Sequence, residues 1–419
     1  MSSDDKKSLV HPGDLLAAVR TRFGPDARII DYQVVQGTET IQGFASLMLR
    51  AKVKVEDGDQ KREINFMVKR TPVVALHAEM LASMGNVVER EGIFFDTLLP
   101  ILEERSPSLP VVKALVCHKD ALIMEDLCDK GFKTVAKDFG EMGRGALTLP
   151  IARMSFRQLA KLHAASLDID WKQVAPPGFF AQDILMEGKA AEQFGEHFGK
   201  TIEMVIIPIL RKIKPDLPGL EKYVEFLRSK TMFDNMIPFT KYDEANGPNL
   251  LLHADFHLNN TMFKLSEDGT PQDMRFIDFQ ILRYAPPYTD LVNFLYTGTN
   301  NSFRVQHEKD LIRIYIEAFN AAANRTPDLL DFDTFYTGYD NARYYGVVFA
   351  LGAKPMLLMS QLNPDAGGEV TEEIMEAMQN TDLSAPAMAF FDNDPVFKQE
   401  MEELIEHTIE VFKRYVSIE

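Results

Sequence analysis

The sequence predicts an α+β protein in two parts, a β-rich part over residues 1–128 and a larger, mainly helical part over 129–419. Three observations carry this. Short β-branched and apolar runs alternate with polar residues through the first hundred positions. Beyond about residue 150, apolar residues recur with the period of a helix. A hairpin pattern interrupts the helical part: Thr261-Met262-Phe263 and Met274-Arg275-Phe276-Ile277 bracket the turn residues Ser266-Glu267-Asp268-Gly269-Thr270-Pro271.

In chain order, residues 29–35 read as a strand, and residues 46–55 and 64–69 as two more around the turn Glu56-Asp57-Gly58-Asp59. Residues 80–102 turn helical, with Val88, Phe94, Phe95, Leu98 and Leu99 on one broad face. A further strand pair is expected over 110–117 and 121–125. Residues 129–150 hold four glycines and mixed charge and read as a linker. Helices are expected over 151–166, 185–213, 219–229, 291–295, 307–324, 335–359 and 395–416. The last has Asp394 as N-cap and Pro395 at its first position.

Composition narrows the function. Hydrophobic residues are 46% and charged residues 26%, as in a globular protein rather than a disordered one. With 45 basic and 62 acidic residues the net charge is −17, which disfavours nucleic-acid binding and docking on anionic lipid. Cys117 and Cys128 provide neither a disulfide framework nor zinc spacing, and their apolar context predicts buried free thiols. The first residues lack an apolar run, and the longest apolar stretch, residues 344–359, contains Lys354 and Pro355 and is too short to span a bilayer. A cytoplasmic location, without membrane insertion, is the expectation by elimination.

The chemistry concentrates in His253-Ala254-Asp255-Phe256-His257-Leu258-Asn259-Asn260, followed by Asp278-Phe279-Gln280. Phosphoryl transfer from ATP needs one carboxylate to orient the acceptor hydroxyl and oxygen ligands to hold Mg2+ on the phosphates. Asp255 has the position of the first. Asn260 and Asp278, across the hairpin, have the spacing of the metal ligands. His253 is expected to tether the loop. His257 suits a packing role, or contact with substrate.

The ATP-binding parts lie earlier. Gly37 and Gly43 would let a hairpin close over phosphates, with Ser46 beside it. Lys69 ends an apolar strand, as a phosphate-binding lysine does or as a solvated strand end does. Its expected partner is Glu91, one turn before Phe95, rather than Glu89. Glu125 and Leu127 would offer backbone groups to adenine. Asp290 opens a helix, as an N-cap, a brace for the catalytic loop, or both. The short gap from Asp278 to Asp290 lacks the peptide-docking segment and Ala-Pro-Glu triplet of a protein kinase, which favours a small-molecule hydroxyl acceptor.

Together these motifs resemble the aminoglycoside phosphotransferase and choline kinase superfamily, and within it the ecdysteroid-kinase-like (CHK kinase-like) family. The matching residues are Gly43-Phe44-Ala45-Ser46, Lys69, Glu91, Glu125-Asp126-Leu127, Leu159 to Ala164, the catalytic loop, Asp278-Phe279-Gln280 and Asp290-Leu291. Phe44 and Phe95 stand where tyrosines are usual, Ala254 where glycine is, and Phe256-His257 where Leu-Trp is. The resemblance implies a two-lobed protein-kinase-like fold and ATP- and Mg2+-dependent transfer to ecdysteroids or other lipophilic alcohols. Choline, ethanolamine or aminoglycoside kinases are alternatives, as is a non-catalytic pseudokinase. Trp171 is the sole tryptophan, which excludes a Trp-rich choline cage but not one of tyrosines, and Met356, Met359, Met375 and Met378 suit either core packing or a greasy substrate.

Overall fold

A computed structural model of the chain describes residues 3–37, 46–71, 85–136, 139–245, 247–359 and 382–416. It divides into two compact units. One comprises Met1–Thr134 with Thr261–Ile281; the other is built from Val135–Asn260, Leu282–Ala366 and Val370–Glu419.

The first unit opens with α1 (Ser3–Ser8) and α2 (Pro12–Phe23) and continues into β1 (Arg28–Gln36), β2 (Leu47–Asp57) and β3 (Gln60–Arg70). Helix α3 starts at Val87–Ile93, widens through a π turn at Phe94–Leu98 and ends in Leu99–Arg105. Strands β4 (Ala114–Cys117) and β5 (Ala121–Glu125) complete an antiparallel five-stranded sheet in the order β1-β2-β3-β5-β4. Alternation builds its core. Leu49, Ala51, Val53 and Val55 of β2 point inward to Phe66 and Val68 and to Leu15 and Val19 of α2, while Lys52 and Lys54 point to solvent. Gly37 is needed where β1 leaves the sheet, since a Cβ there would stand 2.9 Å from the backbone of Met48.

The residues read as a linker are partly structured. A 3-10 turn spans Leu127–Lys130 and helix α4 spans Phe139–Gly143. Cys128 is exposed rather than buried, because the turn places Leu127 inward and rotates the next side chain out; Cys117 is half-buried.

The second unit continues with α5 (Leu149–Ala165), α6 (Trp171–Val174) and α7 (Gly188–Thr201), the last running through a π turn into Ile207–Ile213. After α8 (Leu220–Arg228) and α9 (Lys230–Asp234) comes the short strand β6 (Leu250–Leu252). The predicted hairpin follows as β7 (Thr261–Leu265) and β8 (Pro271–Phe276), and it belongs to the first unit. Backbone bonds hold it there: Lys133 and Phe263 exchange N–H···O bonds of 2.9 and 2.8 Å, and the Phe276 N–H donates to Pro110 O at 2.6 Å. Strand β9 (Arg283–Ala285) then returns to pair with β6. Helices α10 (Tyr288–Gly298), α11 (Asn301–Ala323), α12 (Phe332–Met359), α13 (Ser384–Asn393) and α14 (Pro395–Phe412) complete the unit. Asp394 caps α14 as expected, accepting the N–H groups of Val396 and Phe397. Among the described residues no helix is long and apolar enough to cross a membrane.

Candidate active site

In the first unit Lys69 lies near the end of β3, opposite Met48 of β2 and Leu122 of β5, and is 2% exposed. It is not a solvated strand end. An ammonium at that depth requires partners. Its Nζ donates to Glu91 Oε2 at 2.5 Å and to Asp278 Oδ1 at 2.7 Å. Burial alone would lower its pKa; the charges of Asp278 and Glu91 outweigh that and hold it above its ordinary value. Burial pushes the Glu91 carboxyl upward against the pull of Lys69.

Glu91 is fully buried, and its Oε1 accepts the Phe279 N–H at 3.0 Å. One side chain therefore ties α3 to both β3 and the Asp-Phe-Gln turn. Glu89 stays exposed in the first turn of α3, where Asn86 caps its N–H. The π turn brings consecutive rings inward. Phe94 stacks on Phe279 with centroids 4.0 Å apart and planes at 11°, and Phe95 and Phe276 meet Phe279 edge-on. This buried cluster holds Asp278 in a left-handed conformation, φ 69°.

Ser46 is half-buried just before β2, and Gly43 lies outside the described residues. At the end of β5, the Glu125 N–H donates to Lys113 O at 3.0 Å, and the Glu125 carboxylate pairs with Lys130. Asp126 is buried and accepts from Arg50 Nε at 2.6 Å and from the Cys128 N–H at 3.0 Å. Leu127 is buried behind this turn. Arg50, which sits among the alternating charges of β2, has no sequence signal for this role.

In the second unit the loop after β6 carries His253, Ala254 and Asp255, then a 3-10 turn at Leu258–Asn260. Asp290 is a brace rather than an N-cap, since Pro287 occupies the cap position. Its carboxylate accepts the His253 N–H at 2.9 Å and the Ala254 N–H at 2.8 Å. His163 of α5 meets the same carboxylate at 3.2 Å and the Tyr315 hydroxyl at 2.8 Å. All of these groups are buried. Asp290→Ala would strand two buried N–H groups at about 1–3 kcal/mol each; a lowered urea midpoint checks this.

Ala254, at φ 68°, takes a left-handed conformation that glycine adopts without strain. Arg283 of β9 supports it from the far side. Its Nη1 donates to Ala254 O at 3.4 Å and to the Tyr345 hydroxyl at 3.1 Å, and its guanidinium pairs with buried Asp183. Asp183 also accepts the N–H groups of Leu185 and Met186. Ala254→Gly is expected to be tolerated within about 1 kcal/mol, strain relief opposing the added unfolded-state entropy; thermal unfolding measures it.

Asp255 points into this braced loop. Burial would raise its pKa, but the nearby His257 imidazole, 3.6 Å away, together with His253 and the Asn260 amide, lowers it to about 2. The Asn260 Nδ2 donates to Asp255 O at 2.9 Å and to Asp255 Oδ2 at 3.0 Å.

The ecdysteroid kinase-like family pattern matches residues 40–326, more than half of the 419-residue chain. The chain belongs to the ecdysteroid kinase-like family. No curated protein matches it. Among solved structures it is similar to the streptomycin–ATP–APH(2")-IIa ternary complex, at 14% identity and a TM-score of 0.35, over 85% of this chain and 96% of that chain. With its antiparallel five-stranded sheet and largely helical second unit, this ecdysteroid kinase-like protein has the kinase-like α+β fold that the sequence predicts.

Proposed function

We propose that this chain is a small-molecule kinase that transfers the γ-phosphate of ATP to a hydroxyl of a lipophilic alcohol such as an ecdysteroid. The observation that carries the reading is the buried Lys69 shared between Glu91 and Asp278. A cation fixed at that depth by a helix glutamate is a ready partner for the α- and β-phosphates. Glu125 and Asp126 spend their side chains on the turn itself, so adenine is read by backbone groups of Glu125 and Leu127. Ser46, and Gly43 from outside the described residues, would cover the phosphates.

Asn260 and Asp278 are the residues that would hold magnesium. Their donor chemistry fits a hard cation. Asn260 directs its amide nitrogen to Asp255, which leaves the amide oxygen as the atom to present, and Asp278 has a second carboxylate oxygen beyond the one bound to Lys69. When bound, the ion neutralises charge on the β- and γ-phosphates. Asp255 orients the acceptor hydroxyl and takes its proton late, since the transition state is loose and positioning dominates.

Trp171 does not serve a choline cage, which would have to be built from tyrosines. It is fully buried and its Nε1 donates to Ser166 O at 3.0 Å, so it cannot face a quaternary ammonium. Met356 and Met359 lie on α12; Met375 and Met378 are outside the described residues.

The test is incubation with γ-labelled ATP and magnesium against ecdysteroids, other lipophilic alcohols, choline, ethanolamine and an aminoglycoside, with Asp255→Ala as control. Label on a lipophilic alcohol by wild type alone supports the reading. Label only on choline, ethanolamine or the aminoglycoside overturns the acceptor class. Nucleotide binding without transfer to any acceptor points to a pseudokinase.

A further inference from the structure

One cavity of the second unit has no part in the proposed transfer. It has a volume of about 280 Å³ and is walled by residues of α10, α11, α12 and α14. Arg304 of α11 is its most informative wall. The residue is 4% exposed, yet among the described residues no carboxylate pairs with it. Its Nη1 donates to Thr299 O at 2.7 Å, its guanidinium lies 4.2 Å from the Tyr296 ring centroid, and its Nε is buried without an acceptor. A buried cation carries a desolvation penalty that an opposite charge normally offsets.

The acidic groups of the cavity do not pair with Arg304. Glu308 accepts from the hydroxyls of Tyr336 and Tyr339, at 3.2 and 2.8 Å, and pairs with Arg343. Arg343 also meets Asp340 at 3.1 Å. Glu410 stands at the rim with a side chain 77% exposed, 3.6 Å from His407 Nδ1. The other imidazole nitrogen of His407 meets the Tyr296 hydroxyl at 2.8 Å. Burial first, then Arg304 and Arg343, push the His407 pKa down to about 3, so its ring is neutral at physiological pH and contributes no positive charge of its own. Lys309 is exposed, with its ammonium 5.5 Å from the Tyr336 ring centroid.

We infer that this cavity binds a small oxyanion, a carboxylate or a phosphate monoester, with Arg304 as its counter-ion and Lys309 as a second cation. Tyr296 and Tyr336 offer ring surface to whatever the anion is attached to, and Glu410 at the rim limits how much negative charge the ligand carries. The site is independent of the phosphoryl-transfer reading.

Calorimetric titration of the full chain with inorganic phosphate, and separately with benzoate, tests it. Two variants accompany wild type. Arg304→Gln removes the counter-ion, and Val305→Trp places a bulky ring at the cavity mouth, from a position that is 81% exposed and outside the buried contacts. At least one probe is expected to bind wild type, with affinity reduced about tenfold or more by each folded variant. MgATP affinity is expected to be the same in all three. Preference between the probes distinguishes a phosphate ligand from a carboxylate. Binding of neither probe at millimolar concentration, or binding undiminished in Val305→Trp, overturns the inference.

Discussion

Replacing Asp255 by alanine is expected to lower turnover by about a hundred- to ten-thousandfold, the usual contribution of a positioned acid–base group. Nucleotide binding should persist, because the Lys69–Glu91–Asp278 cluster lies in the other unit and contains no atom of Asp255. Asp255→Asn is the sharper variant. It keeps the shape that the Asn260 amide recognises but cannot accept a proton. Retained turnover in either would remove Asp255 from its role. Its pKa of about 2 also makes a pH prediction. A carboxylate depressed on folding contributes stability that is present above the ordinary Asp range near ~4 and lost as pH falls through the folded value. Between pH 5 and 9 the group stays ionised, so any titration of turnover in that window must come from another residue.

Lys69→Met should have the next largest effect, on both ATP use and stability. It leaves Glu91 fully buried with its cation gone, and breaking a buried pair from one side costs about 3–5 kcal/mol. The KM for ATP should rise and the denaturation midpoint should fall. Lys69→Met combined with Glu91→Gln separates the two losses. The double variant is expected to recover part of the stability and none of the activity. Recovery of ATP use in the double variant would show that Lys69 serves only to neutralise Glu91.

The sequence disclosed this cluster because each member has a local signature. Lys69 ends an apolar strand, Glu91 borders the apolar face of a helix, and Asp278 precedes a phenylalanine after a hairpin. What supports the Asp255 loop has no such signature. Asp183 lies in an irregular segment, Arg283 on a three-residue strand and Tyr345 inside a long helix, and they meet only through tertiary folding. Asp290 was legible as a helix-start carboxylate, but only the backbone path shows that it receives two N–H groups from the loop rather than from its own helix. Cys128 failed for a related reason. Hydrophobic neighbours predict burial on average, whereas a single turn of 3-10 helix decides which of two adjacent side chains faces inward.

The hairpin of β7 and β8 has a consequence for how the molecule can be divided. Residues 261–281 complete the first unit but are reached only after the chain has traversed more than a hundred residues of the second. A fragment ending near residue 134 would lack Phe279, the ring on which Phe94 stacks, and the backbone groups that pair with Lys133 and Val112. No single proteolytic cut yields an intact first unit. During synthesis that unit waits, unfinished, for the hairpin to emerge, and its maturation is therefore tied to the progress of the helical part.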